Sequence, residues 1–442
     1  MNHSTLRATH GSARSSFLVA LALLALGVGV WRHKSRVTPR PLEDQLIVME
    51  PDAEPEDEPV TSAVPAPLTA AQHALKTQLE TQVHAAQPTH RLTLRDGSTV
   101  TGWLENETAN QVRFRESAGY SGYMISSYQR SELKQLEPLP ATPVEITRAD
   151  LRLHEEFPAF HFVKVPACTI VTDAPYSDVE KTVRLLTELH QQFRQHFAAL
   201  LHEQAAPPEI QVVFFSAEEP FRAYTRRVAP GLASGSAGFF TRSQNRLVLL
   251  NQLGTAQYAH AQARAAQFRR DRRGDITSEA KSMTERLIRH EGTHQLFHAY
   301  GILSGSVVEP TWINEGLAQY CEPPEIGGDH RALAERVTQA RRAGKLLPLH
   351  TLLNHHGVNG FFSLGGEKTA IAYAESWALV KFLMQDKYHD AFFNFIKRSR
   401  TSCHLNADGG VDKTDIGAAL AKFLNITSAT LETDWREFLA HL

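Results

Sequence analysis

Strand-like and helix-like patterning separate along this chain, and that separation limits it to a mixed fold whose strands come first. Cys168 to Thr172 and Ile210 to Phe215 are short apolar runs that read as strands. Ala237 to Thr241 and Arg246 to Leu250 have the pattern of a hairpin turning at Ser243-Gln244-Asn245. Among these runs, Tyr176 to Leu201 repeats its apolar residues at helical spacing through Val179, Val183, Leu186, Leu189, Phe193 and Phe197. Beyond Ser278 nearly everything is helical in period: Ser278 to Tyr300, Ile313 to Glu322, His330 to Ala343, Thr369 to Gln385, Tyr388 to Arg398 and two short helices near the C-terminus. Strands first and helices afterwards predict an α+β domain over residues 139–442, with a mixed-sheet lobe followed by a helical lobe.

Three further segments precede it. Residues 88–138 alternate in short runs (RLTLRDGSTVTGWLE, QVRFRE, GYMISSY, ELKQLEP), with Asp96-Gly97 as a hairpin turn. Five short strands in this space predict a small all-β barrel, which resembles the Sm-like or SH3-like accessory barrels of cell-envelope proteins in topology and suits a binding or spacer role. Residues 38–87 read as a linker. Thr38 to Pro67 mixes prolines with acids and lacks aromatics, so it buries too little surface to fold alone, whereas Leu68 to Gln87 is Ala- and Gln-rich and has room for a short helix. In residues 1–37 the apolar run Phe17 to Trp31 follows Arg7 and Arg14, the arrangement of a secretory signal or membrane anchor. The expectation is a chain anchored in a membrane or secreted, with its bulk outside the cytoplasm at the periplasm or cell envelope. Arg32, Lys34, Arg36 and Arg40 argue for the opposite orientation by the positive-inside rule.

With 46 Lys plus Arg against 48 Asp plus Glu, the net charge is -2, so no global field favours nucleic acid, and none is expected as a partner. Cys168, Cys321 and Cys403 lie far apart without a CxxC pair, which excludes a cysteine zinc site and a disulfide framework but leaves room for one disulfide. The chain carries 22 histidines, so any single histidine pattern has to be judged by its spacing.

One spacing stands out. His290-Glu291-Gly292-Thr293-His294 is an HExxH sequence inside a helical stretch. Residues four apart lie one above the other on a helix, so both imidazoles can face one tetrahedral zinc, while Glu291 is rotated towards a water beside the metal. Gly292 is an unfavourable residue inside a helix, costing up to about 1 kcal/mol relative to Ala. A catalytic zinc needs a third protein ligand and an open position, and Thr311-Trp312-Ile313-Asn314-Glu315-Gly316-Leu317-Ala318 offers the carboxylate of Glu315 on a second helix.

HEGTHQ followed by WINEGLA resembles the gluzincin clan of metallopeptidases, including aminopeptidase N-like enzymes. Residues from about 157 to 400 are closer still to a bacterial peptidase-like domain of unknown function in that clan. The resemblance implies Zn2+ held by His290, His294 and Glu315, Glu291 as general base, and a peptide or protein substrate. Tyr373-Ala374-Glu375-Ser376 falls where such enzymes have a YxKG-like segment, which implies Tyr373 as the donor to the oxyanion; Glu-Ser replaces Lys-Gly here. It also implies that the hairpin at 237–250 supplies an edge strand for an extended substrate. The alternative is a catalytically inactive zinc-binding envelope module that recognises peptide or glycan.

Other residues have less to support them. His298 continues the four-residue series, but Phe297 and Tyr300 replace the Gly and His of the metzincin pattern, so it is expected beside the site or in solvent. Trp312 and Asn314 are expected to orient the Glu315 helix. His260, His350, His355 and His356 have no supporting spacing and read as surface residues.

Overall fold

The computed structural model describes residues 67–85, 87–117, 123–165, 168–201, 209–230, 232, 236–242, 244–268, 271–303, 309–356, 360–402 and 415–442. The anchor expected at Phe17 to Trp31, the Pro/acid-rich spacer, Ser243 and Cys403 lie outside the described residues. Among the described residues no helix is long and apolar enough to cross a membrane.

The mixed α+β class is present, with two five-stranded sheets followed by a helical C-terminal part. The first sheet follows helix α1 (Ala70–Ala85) and consists of β1 (His90–Leu94), β2 (Thr99–Glu107), β3 (Gln111–Ser117), β4 (Tyr123–Gln129) and β5 (Leu133–Pro138). The β1–β2 turn is the one expected: Gly97 has φ +89°, and Asp96 Oδ1 accepts the Ser98 N–H at 2.8 Å. The strand order is β4-β3-β2-β1-β5, all antiparallel, over a core of Leu92, Val112, Phe114 and Leu133. This corrects the expected closed barrel. β4 and β5 occupy opposite edges and no ladder joins them among the described residues, so the sheet is open. The chain enters and leaves it at one place, where Gln87 Nε2 donates to Thr142 O (2.8 Å) and Thr142 N donates to Gln87 Oε1 (2.9 Å).

The second sheet contains β6 (His161–Val165), β7 (Cys168–Thr172), β8 (Ile210–Phe215), β9 (Gly238–Thr241) and β10 (Arg246–Leu250), in the order β6-β7-β8-β10-β9. β7, β8 and β10 run parallel; β6 and β9 are antiparallel edges. Parallel neighbours need crossovers, which are supplied by helix α3 (Tyr176–His196) between β7 and β8 and by helix α4 (Glu218–Val228) after β8. Helix α2 (Arg148–Glu156) precedes β6, and its N-cap Thr147 exchanges bonds with Asp150.

Strand side chains alternate between two cores. Ile170, Ile210, Val212, Phe214, Leu247 and Leu249 face α3 and the helical lobe; Val171, Val213, Phe215, Val248 and Leu250 face the other way. Coverage of both faces explains why β8 and β10 are buried throughout and, apart from Gln211 and Arg246, apolar instead of alternating. Leu75, Leu79 and Val83 of α1, spaced by four, pack into the second core, so this helix is joined to the sheet that lies beyond the N-terminal module.

The remaining elements are α5 (Ala256–Phe268), α6 (Asp271–Ala299), α7 (Thr311–Tyr320), α8 (Arg331–Arg342), α9 (Leu349–Leu353), α10 (Gly366–Leu383), α11 (His389–Ser402), α12 (Ile416–Phe423) and α13 (Ser428–His441). A glycine sets how closely α6 approaches α3. A Cβ on Gly292 of α6 would stand 2.9 Å from Leu189 Cδ2 and 3.2 Å from Leu186 Cδ2, so the costly mid-helix glycine is what lets α6 lie against α3. Trp312 of α7, fully buried, donates its indole N–H to Leu353 O at 3.2 Å and stacks on Phe392 of α11.

Candidate metal centre

α6 carries His290 and His294 one turn apart, with ring centroids separated by 4.9 Å and planes crossed at 81°. Their Nε2 atoms approach to 3.3 Å. α7 brings Glu315 across, its Oε2 standing 3.4 Å from His290 Nε2 and 3.8 Å from His294 Nε2. Tetrahedral zinc with bonds of about 2.0–2.1 Å places its donors roughly 3.3–3.4 Å apart, so the three atoms fit three corners of such a site. The donor set, two neutral imidazoles and a carboxylate, also suits zinc chemically. Side-chain exposures of 15, 18 and 20% leave the open side of the cluster within reach of solvent.

Glu291 points elsewhere, as its position on the helix requires. The backbone of Phe240 in the edge strand β9 lies close enough to the Glu291 carboxylate to favour the charged form. Burial pushes Glu291 up to about 7, helped by the charges of Glu315 and Glu322 and opposed by His290 and the Phe240 backbone. Burial pushes His294 down to about 4 against the attraction of Glu315. For His290 burial acts in the same direction, but bonds to Glu315 and Glu322 outweigh it and hold the ring well above the ordinary value. Glu315 is held below its usual range because the bond from His290 and both histidine charges overcome burial. One divalent cation at this point would replace these protons, because both imidazoles must be neutral to coordinate it.

Glu322 was not among the residues expected at the site. Its Oε1 accepts from His290 Nδ1 at 2.9 Å, the bond by which a carboxylate fixes a metal-binding imidazole with Nε2 free. Burial alone would raise its carboxyl, yet bonds from His290 and His330 bring it down to about 2. The sequence signal was only proximity: Glu322 is seven residues after Glu315, just past the end of α7 at Tyr320. The segment bearing it is pinned by Arg289, which is buried and donates through Nε to Cys321 O (2.9 Å) and through Nη2 to Gln192 Oε1 (2.9 Å).

Tyr373 lies in α10 with its ring edge-on to Phe361 and Phe362, at 5.3 and 6.0 Å between centroids. Burial, then the charges of Glu315 and Glu291, push its phenol well above the ordinary value, so the hydroxyl keeps its proton. His298 packs against Phe240 at 5.3 Å instead of joining the donor set. Asn314 Nδ2 donates to Glu309 Oε2 at 3.3 Å at the start of α7. His260 and His350 are exposed, as expected. His355 is not a plain surface residue: its carbonyl accepts the Thr311 N–H at 2.9 Å, and its ring nitrogens meet Thr311 Oγ1 (3.2 Å) and Ser363 Oγ (3.1 Å), tying α7 to the turn before α10. Cys168 and Cys321 are free and buried; burial pushes the Cys321 thiol up to about 12, which makes it a packing residue and not a nucleophile.

No curated protein matches the chain. Residues 286–406, the stretch containing His290, Glu291, His294, Glu315, Glu322 and Tyr373, are similar to a family described as a protein of unknown function, DUF1570.

Proposed function

We propose that this chain is a gluzincin-type zinc metallopeptidase that hydrolyses peptide bonds with an activated water at the cell envelope. The observation that carries the reading is the meeting of His290, His294 and Glu315 at 3.3–3.8 Å, with a second acid, Glu291, turned out of the donor set beside them. His290 Nε2, His294 Nε2 and Glu315 Oε2 would hold the ion. When bound, zinc supplies Lewis acidity that makes a neighbouring water acidic near neutral pH.

The chain's own residues do the remainder. Glu291, with a carboxyl near 7, is matched to accepting a proton from water as it attacks the peptide carbonyl and to returning it to the departing amine. Tyr373, which keeps its proton, donates a hydrogen bond to the oxygen on which negative charge develops. Glu322 keeps His290 in the tautomer that presents Nε2. β9 is an edge strand whose Phe240 backbone lies beside Glu291, so an extended peptide added along that edge would bring its carbonyl beside the base. In this reading the run from Phe17 to Trp31 anchors the chain outside the cytoplasm, and the open five-stranded sheet is an Sm-like or SH3-like spacer.

The test is elemental analysis of the full chain, followed by cleavage of a peptide library with and without zinc. One equivalent of zinc is expected in the wild type and in Glu291→Gln, with turnover only in the wild type. Full activity of Glu291→Gln would overturn the mechanism. Stoichiometric zinc with no cleavage of any peptide would favour the non-catalytic module that recognises peptide or glycan.

A further inference from the structure

Only one oxygen of Glu322 is taken by His290. The other, Oε2, accepts from His330 Nε2 at 2.8 Å. The far nitrogen of that ring is also committed, because His330 Nδ1 accepts the backbone N–H of Leu333 at 3.4 Å and caps α8. A ring nitrogen that accepts an N–H carries no proton, so neutral His330 bears its proton on Nε2 and directs it at Glu322. Both histidines therefore donate to the same carboxylate, and once the Nε2 proton that His290 shares with Glu315 is displaced by a cation, its lone pair would face His294 and Glu315.

The His330 ring is itself held. It stands edge-on to the buried Trp377 of α10 at 6.0 Å, and only 11% of its side chain is exposed. Lys381 lies over the same indole at 5.5 Å and pairs with Asp329, the neighbour of His330, at 3.1 Å. Without His330, Oε2 of a largely enclosed carboxylate would lose its charge-assisted partner, and Glu322 would turn to find another.

We propose that His330 is a positioning residue for the metal centre, setting the orientation of Glu322 and through it the direction in which His290 presents Nε2. Metal affinity then depends on a side chain that never touches the ion. This inference rests on the metal-binding part of the function proposed above and goes beyond it.

The test uses the full chain, with zinc affinity measured by competition against a chromophoric chelator. The absorption spectrum of the cobalt form and the thermal midpoint of the chelator-stripped protein are read alongside. His330→Asn keeps a good helix cap but is too short to reach Glu322, whereas His330→Gln keeps an N–H donor at greater reach. Zinc binding is expected to weaken roughly tenfold in His330→Asn, the low end of what outer partners of metal ligands contribute, with a shifted cobalt spectrum and an unchanged stripped midpoint. His330→Gln is expected to recover most of the loss. Zinc affinity in His330→Asn within about twofold of wild type, well under the range for such partners, overturns the proposal. So does an affinity loss matched by an equal fall in stability of the stripped protein, or a failure of Gln to restore it. A wild-type chain that takes up neither zinc nor cobalt is a different outcome and removes the metal-centre reading itself.

Discussion

Gly316 of α7 lies against the carbonyl of Ser376 in α10: a Cβ built on it would stand 2.5 Å from that oxygen and 2.8 Å from Val380 Cγ2. Glu315 is the residue before this contact and Tyr373 lies one turn before Ser376, so a single backbone approach sets the spacing between the Glu315 carboxylate and the phenol. Gly316→Ala forces α7 and α10 apart. It should destabilise the fold by about 1–3 kcal/mol, as overpacking does, and weaken zinc binding as well. Denaturant unfolding with metal titration checks this, and a variant as stable as wild type with unchanged affinity would remove the glycine from the account.

Tyr373→Phe separates the proposed catalysis from the proposed metal binding. The ring would still pack on Phe361 and Phe362 while the donor is lost. The expected result is full zinc content with kcat lower by roughly 10²–10³, the usual cost of one oxyanion donor. If kcat is unchanged, the tyrosine belongs to the helix interface alone.

Glu375 gives a pH dependence remote from the ligands. It is fully buried, its Oε2 accepts the Leu347 N–H at 3.0 Å, its Oε1 is unpartnered, and burial pushes its carboxyl from 4.5 up to about 8. Between those values the folded chain keeps a proton that the unfolded chain releases, so stability falls as pH rises through the window and levels off above it. Glu375→Gln should flatten that slope by up to about 1.4 kcal/mol per pH unit. Unfolding at pH 5, 6.5 and 8 measures it; parallel curves for the two proteins would contradict the assignment.

Lys164 tests the sheet's attachment to α2. Its Nζ meets Asp150 Oδ2 at 2.6 Å and also Glu209, and the Asp150 side chain has no exposure. Burial raises the Asp150 carboxyl, but its bonds to Lys164, Thr147 and Thr169 hold it below the usual range. Lys164→Met strands that charge and should cost about 3–5 kcal/mol. Replacing Asp150 by Asn in the same chain should recover part of the loss, and simple additivity of the two changes would show that the pair is not coupled.

The grouping of His290, His294 and Glu315 was legible because helical period alone projects the two histidines onto one face, and because HEGTHQ followed by WINEGLA resembles a pattern that pairs them with Glu315. His330 was not legible, since its approach to Glu322 depends on the path of the turn between α7 and α8, where Gly327 has φ +82°. Strand number in the N-terminal module could be read from alternation, whereas closure depends on whether β4 and β5 pair, which no local pattern encodes. α5 was missed for a related reason: AQYAHAQARAAQF is Ala- and Gln-rich and has no continuous apolar stripe. His355 looked like a surface residue because its partners, Thr311 and Ser363, come from two other stretches of the chain.

The guanidinium of Arg289 grips the carbonyl that precedes Glu322, and Arg289 is itself the covalent neighbour of His290. His290 and the carboxylate bonded to it are thus carried by one small block, with Gln192 of α3 as its brace through Pro324 and Ile326. Breathing of the turn would carry the imidazole along with it, so their mutual alignment would survive motions that displace both from the rest of the molecule.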